Sequence, residues 1–189
     1  SKRDENSALP SMLTGGGTEE PPFLRLNYKI PQRKQKANVT NVTTNLQRIF
    51  GQNFSEVEFV KGLIAGEAVG QFTEDGRILL SSDNYVTGAE YHEAFHRVWR
   101  RFLTDAQRDE LIQEFIAANP KIKEILDLKR SEGYNGSDAV LVEEIFAEEF
   151  RMFMLVPEYY IKQNRGEKNK VEKKRMNFFQ RLLALIKGF

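Results

Sequence analysis

The chain has no cysteine, only two histidines, and no apolar run long enough to span a bilayer. The first absence excludes a disulfide framework and any thiolate-ligated metal, and it suits a reducing compartment. The missing apolar run excludes a membrane-spanning helix, and the first residues carry no signal-peptide core. Charge of one sign is lacking as well: 28 Lys and Arg against 27 Asp and Glu leave a formal +1. A chain so balanced offers no bulk electrostatic attraction to nucleic acid. Its 189 residues suffice for one domain with appendages and an adequate core.

What the chain does have is a particular placement of the two histidines. They stand four apart around a glutamate, in His92-Glu93-Ala94-Phe95-His96. On a helix, positions i and i+4 share a face, so both imidazoles can reach one metal ion, and Glu93 can reach a water beside it. This is the His-Glu-x-x-His pattern of zinc metallopeptidases. A helix is expected over 87–102. Thr87 followed by Glu90 reads as a capping box, and Tyr91, Phe95, Val98, Trp99 and Phe102 recur at helical spacing as a buried stripe. Strict forms of the pattern hold uncharged residues where this chain has Glu90 and Arg97, so those two must reach solvent or find partners. The competing reading is an ordinary helix that happens to carry both histidines.

A catalytic zinc takes three protein ligands and keeps a fourth position for water. With neither cysteine nor a third histidine, the remaining ligand must be a carboxylate. Candidates lie over 141–153. There Val142, Phe146, Phe150 and Phe153 form one helical face, and Glu144 and Glu148 stand one turn apart on another. Glu143 is a further candidate, although Glu143, Glu148 and Glu149 read equally well as a solvated face.

The run Glu144-Ile145-Phe146-Ala147-Glu148-Glu149-Phe150-Arg151-Met152 resembles the glutamate helix of lethal-factor-type zincins, whose pattern is roughly Glu-Phe-Phe-Ala-Glu-Ala-Phe-Arg-Leu. Similar helices occur in zincin-like domains of phage and mobile-element proteins. By this resemblance Glu144 is the zinc ligand and Glu148 a carboxylate that orients a ligating histidine. The separation of 48 residues (144 − 96) between His96 and Glu144 is close to the lethal-factor arrangement and long for a thermolysin-like one.

The resemblance implies an α+β fold of the minimal zincin-like kind, with a small, mostly antiparallel sheet packed on the site helix and a helical C-terminal part. It also implies that the strand before the site helix is a sheet edge. Here Arg77, Ile78, Leu79 and Leu80 would then bind an extended peptide by strand addition. Tyr134, in the loop over 131–136, would donate to the oxyanion of the tetrahedral intermediate, and Glu93 would serve as general base.

Residues 1–36, with Gly15-Gly16-Gly17 and Pro21-Pro22, read as a linker or weakly ordered arm. The metallopeptidase domain is expected over 37–165. Within it a helix over 40–50 ends at Gly51, and strands over 56–60, 68–72 and 77–81 follow, the last two joined through Asp75-Gly76. After the site helix, Thr104 caps a third helix that stops before Pro120, which opens a fourth. The sequons at Asn38 and Asn41 read as helix-start chemistry. Residues 166–189 form a basic amphipathic helix, expected to dock on the domain, with a partner helix or membrane surface as alternatives.

The function expected is that of a zinc-dependent endopeptidase, with Zn2+ as cofactor and a protein or peptide as substrate. The chain is expected to be a fragment or processed module of a larger phage or mobile-element protein, placed in a bacterial cytoplasm or a virion. A different class of reading is a catalytically silent zincin-fold interaction module. A nucleic-acid-binding module resting on the basic tail is the weakest of the three.

Overall fold

A computed structural model of the chain describes residues 33–64 and 68–156. The basic helix expected over 166–189, and most of the arm expected over 1–36, lie outside the described residues. Among the described residues, five helices and a three-stranded sheet make an α+β fold: α1 (Val39–Phe50), β1 (Val57–Val60), β2 (Gly70–Phe72), β3 (Ile78–Ser81), α2 (Ala89–Arg101), α3 (Asp105–Ala118), α4 (Ile122–Ser131) and α5 (Asp138–Leu155). No helix among the described residues is long and apolar enough to cross a membrane.

The helix boundaries follow from local chemistry. The Asn38 side chain accepts from the Asn41 amide at the start of α1, and Gly51 closes that helix at φ 100°. Thr104 and Gln107 form a reciprocal capping box on α3, and Ser137 accepts from the Val140 amide on α5. The capping box expected for α2 does not form. That helix starts at Ala89 behind Gly88, which sits at φ 82°. The Thr87 hydroxyl accepts instead from Gln35, and Glu90 turns inward. Gln35 belongs to the range expected to be a loose arm, yet its backbone amide and carbonyl both pair with Tyr85.

The sheet is mixed, in the order β1-β3-β2. β2 and β3 form the expected hairpin, antiparallel, with Gly70 opposite Leu80 and Phe72 opposite Ile78. β1 pairs with the other side of β3 in parallel, with Val57 opposite Ile78 and Val60 opposite Ser81. Two corrections result. The sheet is not mostly antiparallel, because the chain crosses from β1 to the far position before the hairpin returns it to the centre. The stretch Arg77, Ile78, Leu79 and Leu80 is not an edge, because β3 is hydrogen-bonded on both flanks. The reason is topological: the hairpin through Asp75-Gly76 puts β2 on one flank and β1 pairs in parallel along the other, while Ile78 and Leu80 are fully buried on one face. Arg77 is exposed, and forms ion pairs with Asp75 at 2.8 Å and Glu58 at 2.6 Å.

The core lies where α2 crosses α5. Phe95 stacks on Trp99 at 5.6 Å, Trp99 meets Phe146 at 5.6 Å, and Phe115 meets Phe146 at 5.1 Å. Phe150 closes the cluster against Phe95 at 6.0 Å. Burying each such ring contributes roughly 1.5–3 kcal/mol relative to leaving it in water. The cluster therefore fixes the two helices that carry the histidines and the glutamates.

Two charged residues that depart from the strict histidine pattern have partners inside the fold. Glu90 accepts from Asn45 Nδ2 at 3.0 Å and from the Tyr85 hydroxyl, which itself accepts from the Gly88 amide at 3.0 Å. This ties α1 and the entry of α2 together. Arg97 donates to the Gly76 carbonyl and to Glu56, with its guanidinium 5.3 Å and 5.1 Å from the rings of Phe50 and Phe54.

Candidate metal centre

His92 and His96 lie one turn apart on α2 and face α5, where Glu144 meets both. His92 Nε2 is 3.2 Å from Glu144 Oε2, His96 Nε2 is 3.3 Å from Glu144 Oε1, and the two Nε2 atoms are 3.2 Å apart. The two Nε2 atoms thus face each other and opposite oxygens of one carboxylate, and one donor atom from each of the three residues lies within 4.8 Å of the other two. Ligands about 2.0–2.1 Å from a common zinc ion in tetrahedral array stand about 3.3 Å from one another. Among the described residues this is the group of His, Cys, Asp or Glu side chains that could hold a metal ion.

The hydrogen bonds behind the rings fit the same use. His96 Nδ1 is 2.7 Å from Glu143 Oε1, and a carboxylate only accepts, so Nδ1 carries the proton. In the neutral ring Nε2 then carries the lone pair and can present it to a cation. Glu143 also accepts from Arg100 Nε at 2.8 Å. On the other ring, His92 Nδ1 faces Glu148 Oε2 at 3.6 Å, while Glu148 Oε1 accepts from Arg151 Nη1 at 2.6 Å. Arg151, only 3% exposed, also donates to the Thr87 carbonyl at 3.0 Å, which joins α5 to the start of α2.

Electrostatics in the metal-free site follow from this crowding. Burial presses His92 toward neutrality, but the hydrogen bond to Glu144 and the attraction of the nearby Glu148 carboxylate outweigh it and raise its pKa to about 10. His96 is likewise raised against its burial by Glu143 and Glu144. Burial pushes Glu144 up, yet hydrogen bonds to both histidines hold it well below the usual carboxylate range. Glu93, 7% exposed, is raised by burial, only partly offset by the neighbouring histidines.

Glu93 lies beside these three residues under β2. A Cβ added at Gly70 would stand 2.8 Å from Glu93 Oε1 and 3.0 Å from its Cγ. Glycine at this position is what lets the carboxylate sit against the strand. The donors open into a cleft of about 630 Å³, lined by β2, Glu93 and Glu148, with Tyr134 on its rim. Tyr134 is 39% exposed and packs its ring 5.0 Å from Lys129 Nζ.

His92, Glu93, His96, Glu144, Glu148 and Tyr134 thus share one cleft, whereas Arg77, Ile78, Leu79 and Leu80 do not line it. The solvated-face reading of α5 fails for Glu143 and Glu149, which are 7% and 5% exposed. Sequence reasoning missed the partnership of Glu143 with His96 and Arg100. The signal was present, since Arg100 follows His96 by four residues and shares its face. Glu148 and Arg151, three apart, were readable in the same way. Nothing local marked Gly70. Compared with known proteins, the chain matches no family model, no curated protein and no solved structure.

Proposed function

We propose that this chain is a zinc-dependent endopeptidase of the zincin type, in which His92, His96 and Glu144 hold the ion and Glu93 is the general base. The observation that carries the reading is the convergence of His92 Nε2 and His96 Nε2, 3.2 Å apart, on the two oxygens of Glu144 at 3.2 Å and 3.3 Å, with a buried glutamate alongside and an open cleft in front. Bound zinc supplies an acidified water and polarises a carbonyl oxygen. Glu93 takes the water's proton and passes it to the leaving amine, a role suited to a carboxyl whose pKa burial has raised. Tyr134, on the cleft rim, donates to the developing oxyanion. Glu148 and Arg151 brace His92 from behind.

The peptide-binding edge passes from β3 to β2. Ser81 N donates to Val69 O, and Thr73 N to Arg77 O, so by antiparallel alternation the backbone groups of Gly70 and Phe72 turn away from β3. That edge borders the cleft, and an extended peptide adds to it with its scissile bond toward Glu93. By resemblance alone, the domain is one module of a larger phage or mobile-element protein. The charges of Glu90 and Arg97, which depart from the strict histidine pattern, have partners within the fold and leave the site itself open.

The test compares wild type with Glu93→Gln on a generic unfolded protein, with metal content measured on both. The variant is expected to keep its zinc and to lose about 10²–10⁴-fold in kcat/KM. Equal cleavage by the two, or none by zinc-loaded wild type, overturns the proposal.

A further inference from the structure

The two imidazoles are gripped differently, and the difference lies on α5. His96 is held at both nitrogens by consecutive glutamates, with Glu143 Oε1 2.7 Å from Nδ1 and Glu144 Oε1 3.3 Å from Nε2. One residue along a helix turns the side chain by about 100°, which carries Glu143 behind the ring while Glu144 stays in front. His92 has no such clamp: its Nδ1 faces Glu148 at 3.6 Å, beyond ordinary hydrogen-bond length, and that carboxylate is shared with Arg151.

We infer that Glu143, backed by Arg100, is a positioning residue that sets the ring plane and tautomer of His96, leaving His92 as the ligand that adjusts when an ion binds. The inference rests on the reading of His92, His96 and Glu144 as the ligand set. Three observations support it. The Glu143 oxygen that meets His96 also accepts from Arg100 Nε at 2.8 Å, so the carboxylate is fixed from two sides of one helix face. Its side chain is almost fully buried, where a carboxylate is retained only when well partnered. It stands on the Nδ1 side of the ring, opposite the Nε2 that faces His92 and Glu144, which removes it from the ligand set and leaves it the orienting role.

The test pairs zinc affinity, measured by competition with a chromogenic chelator, with NMR of the metal-free protein. A buried His96 Nδ1–H that donates to Glu143 gives a downfield, slowly exchanging proton resonance. Glu143→Ala is expected to lose that resonance and to weaken zinc binding about 10–100-fold. Glu143→Gln, which still offers a carbonyl oxygen, keeps the resonance and recovers part of the affinity. Arg100→Met, at a half-exposed side chain, shifts the resonance and costs a smaller factor. A folded Glu143→Ala protein with wild-type resonance and affinity overturns the inference. Should that variant not fold, Arg100→Met decides, and an unchanged resonance and affinity there overturn it equally. Wild-type protein that takes up no zinc defeats the ligand assignment, while the resonance still reports on Glu143.

Discussion

Replacing Gly70 by alanine is expected to separate the proposed catalysis from metal binding with a single methyl group. No positive φ is involved at Gly70, so the backbone accepts alanine without strain. The collision is with Glu93: the new Cβ would lie 2.8 Å from Oε1, 3.0 Å from Cγ and 3.2 Å from Cδ. Ordinary carbon–oxygen contact begins near 3.4 Å, so the carboxylate must retreat by about half an ångström. Misplacing a reacting group by about 1 Å costs roughly 10²-fold, so half that distance predicts a loss of about tenfold in kcat/KM. That corresponds to about 1.4 kcal/mol of barrier. His92, His96 and Glu144 are not touched, and zinc affinity stays at the wild-type level. The assay is turnover of an unfolded protein substrate beside chelator competition, with the melting temperature as a check on folding. Wild-type kcat/KM in Gly70→Ala refutes the claim that Glu93 acts from this position. Loss of zinc in that variant refutes the separation between base and ligands.

Glu144→Ala is expected to lose zinc on dialysis, since it removes the carboxylate that meets both Nε2 atoms; full retention transfers the third ligand to a neighbouring glutamate. Stability of the metal-free protein should depend on pH through the same residues. His92 has its pKa raised from 6.5 to about 10, so its contribution is complete below about 6.5 and is lost as pH rises through 10. Glu144 is lowered from 4.5, so its contribution is present above 4.5 and is lost as pH falls. The metal-free melting temperature should therefore decline from pH 6 to pH 9. Zinc affinity should rise over that interval, as the imidazoles shed the protons that compete with the ion. A metal-free melting temperature that climbs across the interval contradicts this account of His92.

Much of the site was legible because helices repeat. The spacing of His92 and His96, and the stripe of Phe95, Val98 and Trp99, specify a helix that buries one face and shows both imidazoles on another. Val142, Phe146 and Phe150 do the same for α5. The meeting of Glu144 with His96 was not derivable from spacing, since a separation of 48 residues (144 − 96) leaves the approach to tertiary packing; it was reached by elimination of ligand types and by resemblance. Local patterns misled where burial overrode them. Thr87 and Glu90 have the capping-box spacing, yet Glu90 gains more from Asn45 and the Tyr85 hydroxyl than from the helix end. The central place of Ile78-Leu79-Leu80 was not legible locally, because it depends on the parallel pairing with β1 about 20 residues upstream, which is a tertiary contact.

The placement of β2 divides the molecule into an anvil and a jaw. The anvil is two long helices locked by aromatic rings, and every proposed ligand is mounted on it. The jaw is a three-residue strand held by one described neighbour. On the proposed function, substitutions there, such as at the exposed Gln71 beside the cleft, would retune which polypeptides bind while the helices that carry the ligands keep their shape.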